Sequence, residues 1–577
     1  MGGRAGRYYA NQLGESPWRL SAVVVLLAVF AIVVVGKLFL MQIVQHGYYL
    51  GLATEEHRSV RQLQPQRGTV LARDGAPLAV SVPYETLLAD ATHMTDKGDV
   101  ARRLATALGG NQASLAAKLT TAGDKPAMLQ SSLSAEQADR VRGLHLLNVY
   151  FETEPLRLHP EGGLASQVLG FVGRDYAGLA GLEMAWNDEL GGRLGSVEAE
   201  VDTAGDAIAL GALDYVAPVS GADLLTTIDR YTQRLVEQQL NAAVEAHNPE
   251  SATIIVLEPR TGAILAMATR PSYSLADPDY LEPENEPLYR IPAVSDVYEP
   301  GSVFKVITMS AGIDSGAVQP DETYDDKGYV VEGDVTIRNA DGIGRGIQTM
   351  AEILQKSLNT GSSYVARKLG PDRFYQYVRA FGFGEPTAVD LPGEAAGLVR
   401  DNKASGWSGS DLLTNSFGQG IAVTPLQMAR GVAVVANGGL LMQPQIVREV
   451  RSAGGVRHIA PQTVRRVISP KTASILTNMM VNAVDKSVVG LAKLNGYRVA
   501  GKSGTAEILV DGRYAPNDTV ASFVGFAPAD DPRFLVLVAV TRPKDNIWGE
   551  AVAAPIFATI MQDLLAHAGV APALDGQ

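Results

Sequence analysis

The sequence predicts a protein of the α+β class, with one apolar helix near its start, an α+β module and then a larger α+β domain. Three observations support this fold class. One apolar run is long enough for a membrane-spanning helix, strand-like segments occur at both ends of residues 222–568, and mainly helical sequence separates them. Strands at both ends with helices between them indicate one sheet built from the two termini of this domain.

The first predicted element is a membrane helix. Residues 20–36 form a run of 17 residues without a charge, and residues 38–41 extend this apolar run beyond Lys37. A helix over residues 18–41 is long enough to cross a hydrocarbon layer of about 30 Å. We therefore predict a single-pass transmembrane helix with these bounds.

The charges before this helix predict its orientation. Three arginines precede the apolar run: Arg4, Arg7 and Arg19. Positive charge favours the cytoplasmic side, so residues 1–17 are predicted as a cytoplasmic tail, and the later domains are predicted to lie outside the cytoplasmic (inner) membrane. The alternative is a cleaved signal peptide, which the length of the run and the lack of a small-x-small cleavage pattern disfavour.

Residues 42–221 form a predicted elongated α+β module, which we call the pedestal. Arg73-Asp74-Gly75 has the composition of a hairpin turn between two strands. Residues 99–122 are rich in Ala and Leu at helical spacing, and Ser134 is a suitable cap for a further short helix. Residues 218–221 have the composition of a linker and end the pedestal.

The larger domain is predicted over residues 222–568, with residues 569–577 as a C-terminal tail. Its predicted elements are a strand at 224–228, a helix at 230–247 capped by Asp229, a hairpin of strands 252–257 and 263–268, strands at 521–527 and 534–541, and a closing helix at 551–568.

Composition excludes several classes of function. With a formal net charge of −13, the chain lacks the basic surface of a nucleic-acid-binding protein. It contains no Cys, which excludes thiol catalysis, disulfides and Cys-ligated metals. The eight His include no close ligand pair, so we predict neither a metal site nor a cofactor.

Three short patterns carry the chemical signal, and each occurs once. They are Ser302-Val303-Phe304-Lys305, Ser357-Leu358-Asn359 and Lys502-Ser503-Gly504-Thr505. A chain of this length contains roughly one Ser-x-x-Lys by chance, so one pattern alone is a weak signal. All three in this order are typical of serine acyl-transfer enzymes that penicillin inactivates.

The first pattern predicts a nucleophile and its base on one helix face. Pro300-Gly301 places Ser302 at a helix start, where free N–H groups favour developing negative charge. Lys305 follows about one turn later, so the two side chains share a face. A lysine can act as the base if it is neutral, which burial and a second cation promote by lowering its pKa. Lys502 is the candidate for that cation.

The other pattern residues have supporting roles in this hypothesis. Ser357 can relay a proton, and Asn359 can orient the lysine or a substrate amide. Ser503 and Thr505 offer hydroxyl groups to a substrate carboxylate. The backbone N–H groups of Ser302 and Thr505 are candidates for an oxyanion hole.

Each pattern also has a simpler structural interpretation. Ser302 can be only a helix cap, and Lys305 a surface lysine. Ser357 and Asn359 can cap the helix that follows them, and the third pattern can be a turn between strands. Three unique patterns in the expected order favour the catalytic interpretation over these alternatives taken together.

With these residues the chain resembles the class B penicillin-binding proteins, which are membrane-anchored peptidoglycan D,D-transpeptidases. Further similar segments are Tyr298-Glu299-Pro300-Gly301, Ser416-Phe417-Gly418-Gln419-Gly420 and, in the pedestal, Arg67-Gly68 with Arg73-Asp74-Gly75. The resemblance extends from the apolar helix to about residue 568. It implies the penicillin-binding transpeptidase fold, a central antiparallel sheet with helices, preceded by a dimerisation-type pedestal.

The resemblance also implies residue roles and partners. The residues implied to be catalytic are the nucleophile Ser302, its base Lys305, and Ser357, Asn359 and Lys502. Those implied to bind substrate are Ser503, Gly504 and Thr505. The implied ligands are peptidoglycan stem peptides on glycan strands derived from lipid II, and β-lactams that mimic them. The implied protein partner is a polytopic glycosyltransferase of the shape, elongation, division and sporulation (SEDS) family, bound through the anchor and pedestal.

The resemblance has small departures and leaves the branch of the family open. Val303 and Ser503 stand where many members have Thr, and both keep the chemistry. No glycosyltransferase domain precedes the pedestal, which excludes class A. The length and the ending Ala553-Ala554-Pro555-Ile556-Phe557 resemble the division (septal, FtsI-like) branch more than the elongation branch.

Three other functions stay open at the level of sequence: a β-lactamase, a penicillin-sensing signal transducer and a non-catalytic scaffold. An uncleaved anchor and a long pedestal are unusual for a β-lactamase. The short segment before the helix leaves no room for the output domain of a sensor. The intact patterns disfavour a scaffold.

Overall fold

The structure is a computed structural model that describes residues 17–572 except 57, 93, 124, 174, 202–207, 209–212, 278 and 488. The fold separates into two units. One comprises the described residues up to Pro65 together with Arg193–Val219, and the other comprises Gln66–Gly192 and the described residues from Ser220 onward. The predicted tails at 1–17 and 569–577 lie largely outside the described residues.

The first unit contains the predicted membrane helix. Helix α1 (Pro17–Phe39) continues into a π-helical turn, Leu40–Val44, and α2 (His46–Glu56) follows. Within the described part of the chain, Trp18–Val44 is the one helical segment long and apolar enough to cross a membrane. Its apolar side chains are exposed, unlike those of a core helix. The apolar helix thus continues beyond the predicted end at Met41.

A three-stranded antiparallel sheet completes this unit. Its strands are, in spatial order, β1 (Arg58–Leu63), β6 (Gly195–Glu200) and β7 (Leu213–Val216). The pairing brings Leu63 opposite Gly195, so that chain segments from before and after most of the pedestal meet in one sheet.

The second unit begins with pedestal elements. β2 (Val70–Leu71) and β3 (Pro77–Ala89) form the predicted hairpin, and the sharp turn between them includes Gly75 at φ 86°. Gly109, at φ 71°, ends the first of two helices within the predicted helical stretch. The remaining pedestal elements are α3 (Lys97–Leu108), α4 (Gln112–Thr121), β4 (Ala127–Leu133), α5 (Ala135–Arg142), β5 (Val149–Leu158), α6 (Ser166–Leu169), α7 (Gly181–Ala185) and α8 (Asn187–Gly191).

A seven-stranded mixed sheet joins pedestal strands to later segments. Three later strands belong to it: β8 (Asp223–Thr226), β16 (Val447–Ser452) and β17 (Gly455–His458). The spatial order is β17-β16-β8-β2-β3-β4, and β5 pairs with β3. β8 runs parallel to β2, with Val70 opposite Leu224. Strands from both sides of residue 221 therefore share this sheet.

A five-stranded antiparallel sheet forms the centre of the larger domain. Its spatial order is β10-β9-β21-β20-β19. The strands are β9 (Ser251–Glu258), β10 (Ala263–Arg270), β19 (Ala500–Val510), β20 (Arg513–Ala527) and β21 (Phe534–Thr541). β9 pairs with β21, so the first and last hairpins of the domain join directly. This arrangement confirms the predicted α+β class.

Helices cover both faces of this sheet. Helices α9 (Arg230–His247) and α18 (Gly549–His567) pack on one face, where Leu240, Val256 and Phe557 share a buried cluster. On the other face Ile255 and Phe304 belong to the main core. Alternate residues of β9 thus point into different cores, as expected of a strand covered on both sides.

The segment between the two hairpins is mainly helical, as predicted. Its helices are α10 (Pro292–Ser295), α11 (Lys305–Asp314), α12 (Met350–Gln355), α13 (Asn359–Leu369), α14 (Pro371–Ala380), α15 (Gly409–Asn415), α16 (Pro425–Ala436) and α17 (Pro470–Asp485). Its short strand pairs are β11 (Thr323–Asp326) with β14 (Gly346–Thr349), β12 (Tyr329–Glu332) with β13 (Val335–Arg338), and β15 (Leu440–Met442) with β18 (Thr463–Arg466). The three sequence patterns meet where the edge strand β19 faces α11 and the turn before α13.

Candidate active site

Ser302 lies in a 3-10 turn, Gly301–Phe304, that leads directly into α11. Gly301 has φ 57°, and a Cβ there would come within 2.9 Å of the Cβ of Ala506 on β19, so glycine lets the turn pack against the strand. Lys305 begins α11, and its Nζ lies 3.0 Å from Ser302 Oγ. Neither the turn nor α11 has a side-chain cap, so Ser302 is not the helix cap of the simpler interpretation.

Lys305 is buried, with only 1% of its surface exposed. Its Nζ also contacts three acceptors: Ser357 O at 2.5 Å, Asn359 Oδ1 at 2.8 Å and Ser357 Oγ at 3.2 Å. Burial, and secondly the charge of Lys502, holds the pKa of Lys305 well below its usual range. The lowered pKa increases the neutral fraction of Lys305, which is the form that accepts a proton.

The second pattern forms the turn before α13. Ser357 has φ 55°, a left-handed conformation that costs a non-glycine residue free energy. In this conformation both its carbonyl oxygen and its Oγ contact Lys305. Asn359 is the first residue of α13, and its Nδ2 donates to Arg338 O at 2.9 Å. The helix has no side-chain cap, so these two residues hold the lysine and do not cap α13.

The third pattern lies inside β19 and is not a turn between strands. Lys502 is 3% exposed, and its Nζ donates to Ser357 Oγ at 3.1 Å and to Ser503 O at 2.7 Å. Burial lowers the pKa of Lys502 to about 8, while the negative charge of Glu550 acts in the opposite direction. Lys502 therefore keeps its proton at neutral pH more readily than an isolated buried lysine would.

Gly504 and Thr505 fix β19 against its neighbours. A Cβ on Gly504 would lie 2.8 Å from Val303 Cγ2 and 3.1 Å from Pro300 O, so glycine allows the strand to approach the turn that carries the serine. Thr505 Oγ1 accepts a hydrogen bond from Gly549 N at 3.0 Å. The third pattern is thereby held between the nucleophile turn and the start of α18.

The structure brings the five residues predicted as catalytic into one connected group. A continuous path of polar contacts runs from Ser302 Oγ to Lys305 Nζ, then to Ser357 Oγ and Lys502 Nζ. Asn359 joins the group through the same lysine. Ser503, Gly504 and Thr505 continue along β19, and the hydrogen bonds described for them do not reach Ser302 directly. The arrangement permits proton exchange between a serine hydroxyl and two amino groups through Ser357.

Sequence reasoning gave no role to two acidic residues beside this group. Glu299 accepts hydrogen bonds from Gly420 N at 2.9 Å and from Tyr514 O–H at 3.1 Å, and burial raises its pKa. Its place shortly before Ser302 was the available signal, but its partners are distant in sequence. Glu550, on the first turn of α18, had no local signal at all.

Comparisons with known proteins agree with the fold. A model of the penicillin-binding protein transpeptidase domain matches residues 252–562, and one of the penicillin-binding protein dimerisation domain matches residues 62–226. Stage V sporulation protein D of Bacillus subtilis (strain 168) is 33% identical, over 96% of this chain and 86% of its own length. The probable peptidoglycan D,D-transpeptidase PenA of Neisseria gonorrhoeae is 32% identical, over 96% and 93%.

A solved structure shows the same similarity. It is penicillin-binding protein 3 of Mycobacterium tuberculosis in complex with aztreonam, which matches with a TM-score of 0.68 at 26% identity and covers 90% of this chain and 100% of that chain. The transpeptidase match alone covers more than half of the chain, and the named relatives cover nearly all of it. With its transpeptidase fold, dimerisation-type domain and N-terminal apolar helix, the chain belongs to the class B penicillin-binding proteins.

Proposed function

We propose that this protein is a serine D,D-transpeptidase that cross-links peptidoglycan stem peptides through an acyl-enzyme on Ser302. The observation that carries the proposal is the buried amino group of Lys305, which lies 3.0 Å from Ser302 Oγ and whose pKa is lowered by burial. The name of the Neisseria gonorrhoeae relative, a probable peptidoglycan D,D-transpeptidase, supports the same reaction.

In the first half-reaction Ser302 Oγ attacks the carbonyl carbon of the penultimate D-Ala, and neutral Lys305 accepts the hydroxyl proton. Backbone N–H groups of Ser302 and Thr505 stabilise the oxygen that becomes negative. The peptide C–N bond then breaks, and the proton passes to the departing amine of the terminal D-Ala with Ser357 as the relay. An ester between the stem peptide and Ser302 remains.

In the second half-reaction an amine of a neighbouring stem peptide attacks this ester. The amine loses a proton to Lys305, a new amide forms, and the proton returns to Ser302 as its C–O bond breaks. Burial and, secondly, the charge of Lys502 favour the neutral form of Lys305, and Asn359 holds Lys305 in place.

Substrate binding is assigned to the rest of the third pattern. Ser503, Gly504 and Thr505 lie on the edge strand β19, next to the charge of Lys502, and are proposed to bind the terminal carboxylate of the donor. A β-lactam offers the same carboxylate and a reactive amide, but its leaving nitrogen stays attached to the acyl group. The complex of the Mycobacterium tuberculosis relative with aztreonam supports β-lactam binding.

A labelling experiment tests the nucleophile. The protein is incubated with fluorescent penicillin and digested, and the modified peptide is identified by mass spectrometry. We expect the adduct on Ser302, and we expect Ser302→Ala to lose all label while its unfolding temperature changes by less than about 2 °C, since removal of one hydroxyl group changes the packing little. An adduct on another residue would contradict the assignment, and release of the label within seconds would favour a β-lactamase.

The same proposal includes the division of the chain and its place in the cell. The parts are a cytoplasmic tail (1–17), a transmembrane helix (18–41), the pedestal (42–221), an extracytoplasmic transpeptidase domain (222–568) and a tail (569–577), all at the cytoplasmic membrane. The exposed apolar helix and the arginines before it support this orientation. Protease added outside spheroplasts should digest the catalytic domain, and full protection would contradict the orientation.

The partner is proposed to be a SEDS glycosyltransferase bound through the anchor and pedestal, and the role is proposed to be septal. The resemblance of residues 553–557 to the division branch supports this role over one in elongation. Replacing the apolar helix by an unrelated one should abolish co-purification with the glycosyltransferase. A fluorescent fusion found evenly along the side wall would contradict the septal role.

A further inference from the structure

A cavity of about 370 Å³ lies beside the catalytic group, and the mechanism above gives it no role. Lys502 and Ser503 form part of its wall, so the cavity shares a residue with the proton path to Ser302. The end of α12 and the end of α17 form other walls. A small molecule in the cavity would therefore lie within contact distance of the third pattern.

The charged residues that line this cavity are mainly cationic. Its cations are Arg345, Lys356, Lys486 and Lys502, against one carboxylate, Glu550. Arg345 and Lys356 form ion pairs with Asp341 and Glu352, which are not part of the lining. Lys486 follows α17 directly, is exposed, and takes part in no ion pair among the described residues. It is therefore available to an anionic ligand.

Glu550 supplies the opposite charge in the same space. Its carboxylate accepts a hydrogen bond from Ser487, which also lines the cavity. Its charge acts on Lys502, so it lies within electrostatic reach of the catalytic group. A cavity with several cations and one carboxylate has the charges needed to bind a carboxylate and an ammonium group together.

We propose that this cavity is a subsite for a zwitterionic α-amino-acid head group, in which Lys486 attracts the carboxylate and Glu550 the ammonium group. The inference rests on the proposed transpeptidase function. Two participants in that reaction carry such a head group. One is D-alanine after the peptide C–N bond has broken and its carboxylate has left the third pattern, and the other is an acceptor whose amine, which must lose its extra proton before it attacks, stands next to a carboxylate.

The test uses a thioester analogue of the donor, which acylates Ser302 without releasing an amino acid. D-alanine and D-alaninamide then serve as acceptors, since they share the amine and differ in the carboxylate. Lys486→Gln removes the proposed carboxylate ligand. Lys471→Gln is the matched control, because Lys471 is an exposed lysine near the opposite end of the same helix, α17.

We expect Lys486→Gln to raise the KM for D-alanine about tenfold, which is the effect of losing one charge-assisted contact. The KM for D-alaninamide should stay unchanged, because this acceptor has no carboxylate. Glu550→Gln should raise the KM for both acceptors, because both carry the amine. Lys471→Gln should change neither. Each variant is compared with the wild type for one acceptor at a time, so the different basicities of the two amines do not affect the comparison.

A second arm distinguishes the two sources of the head group. With a donor that ends in D-Ala-D-Ala, a site for the leaving group makes D-alanine an inhibitor of acylation, and Lys486→Gln weakens that inhibition. A site for the acceptor leaves acylation unaffected by D-alanine. If D-alanine shows the same KM and the same inhibition in the wild type and in Lys486→Gln, the subsite proposal is wrong. Loss of penicillin acylation in the wild type would instead contradict the proposed function.

Discussion

The two buried lysines of the site differ in what surrounds them. Lys305 contacts four polar atoms and has the charge of Lys502 nearby, and burial together with that charge favours its neutral form. Lys502 has Glu550 within electrostatic reach, and its pKa is about 8. Burial and a neighbouring cation thus favour the neutral form of Lys305, whereas a neighbouring carboxylate favours the charged form of Lys502, as an acyl-transfer site with one base and one cation requires.

This difference predicts the pH dependence of acylation. At low pH Lys305 binds a proton and the base is lost, so the rate falls. As pH rises through about 8 Lys502 loses its proton, and the residues proposed to bind the substrate carboxylate lose the charge beside them, so the rate falls again. Because Glu550 raises the pKa of Lys502, Glu550→Gln should move the descending limb to lower pH. The measurement is the rate constant of penicillin acylation from about pH 5 to 10, with Glu136→Gln, a pedestal variant, as the control. If the descending limb of the pH profile does not move in Glu550→Gln, Glu550 does not control the pKa of Lys502.

At this scale the sequence predicted the members of the group but not their geometry. The patterns identified Ser302, Lys305 and Lys502 because their types and spacing are informative. The left-handed conformation of Ser357 depends on contacts with two lysines that are distant in the chain, and no local pattern shows it. The sequence did not indicate Glu550 either, because its effect on Lys502 also joins distant parts of the chain.

The element that positions the site is the edge strand β19. On one side it packs against the 3-10 turn of Ser302, where Gly504 leaves room for Val303. On the other side it meets the start of α18, where a Cβ on Gly549 would lie 2.0 Å from Gly504 O. Two glycines therefore set the distance between the third pattern and the nucleophile.

This packing predicts the effect of Gly549→Ala. Alanine has the higher helix propensity, so α18 itself would gain stability, but its methyl group would force β19 away. We expect acylation by penicillin to fall about tenfold or more and the unfolding temperature to drop by several degrees, roughly the effect of 1–3 kcal/mol. Gly110→Ala is the control, since no atom lies within 4 Å of a Cβ built there. Equal activity of both variants would contradict the steric account.

The bounds of helices and strands were predicted well where the local sequence pattern determines them. The hairpin of β9 and β10 and helix α9 with its cap Asp229 agree closely with the sequence. β20 was predicted only over residues 521–527, yet it begins at Arg513. Residues 513–520 include Pro516, Asn517 and Asp518, which have no partner in the register with β19, so the pairing on either side of them comes from the partner strand and not from a local strand pattern.

On the scale of the whole molecule, one buried carboxylate ties distant pedestal segments together. Glu183 is 0% exposed and lies 2.5 Å from Arg67 Nε, and its other oxygen accepts from Arg157 Nε at 2.8 Å. Arg67 also donates to Tyr176 O and Asn187 Oδ1, both at 3.0 Å. The resemblance to the family includes the segments of Arg67, Arg157 and Glu183, but it did not predict that these three side chains pair.

Breaking this network should destabilise the protein. Glu183→Gln leaves two buried arginines without their counter-charge, and we expect a loss of about 3–5 kcal/mol in the free energy of unfolding. Glu136→Gln removes an exposed ion pair with Arg140 and should cost less than about 0.5 kcal/mol. Chemical denaturation measures the free energy of unfolding of both variants. Equal losses would show that the buried network stabilises the protein no more than an exposed ion pair does.

The overall architecture followed from the sequence only in part. Strands at both ends of the larger domain predicted its central sheet, because such strands have few other partners. The parallel pairing of β2 with β8 was not predictable, since it depends on how the pedestal strands meet a segment that follows them by about 150 residues. The domain bounds proposed at residues 221 and 222 stay a prediction.

The central claim is that neutral Lys305 removes the proton of Ser302, and Lys305→Arg tests it most directly. Arginine keeps a positive charge but cannot act as a base near neutral pH. The measurement is the rate of acylation by labelled penicillin, compared with that of the wild-type protein under the same conditions. The account predicts a loss of at least about a hundredfold, and labelling of Lys305→Arg at nearly the wild-type rate would contradict it.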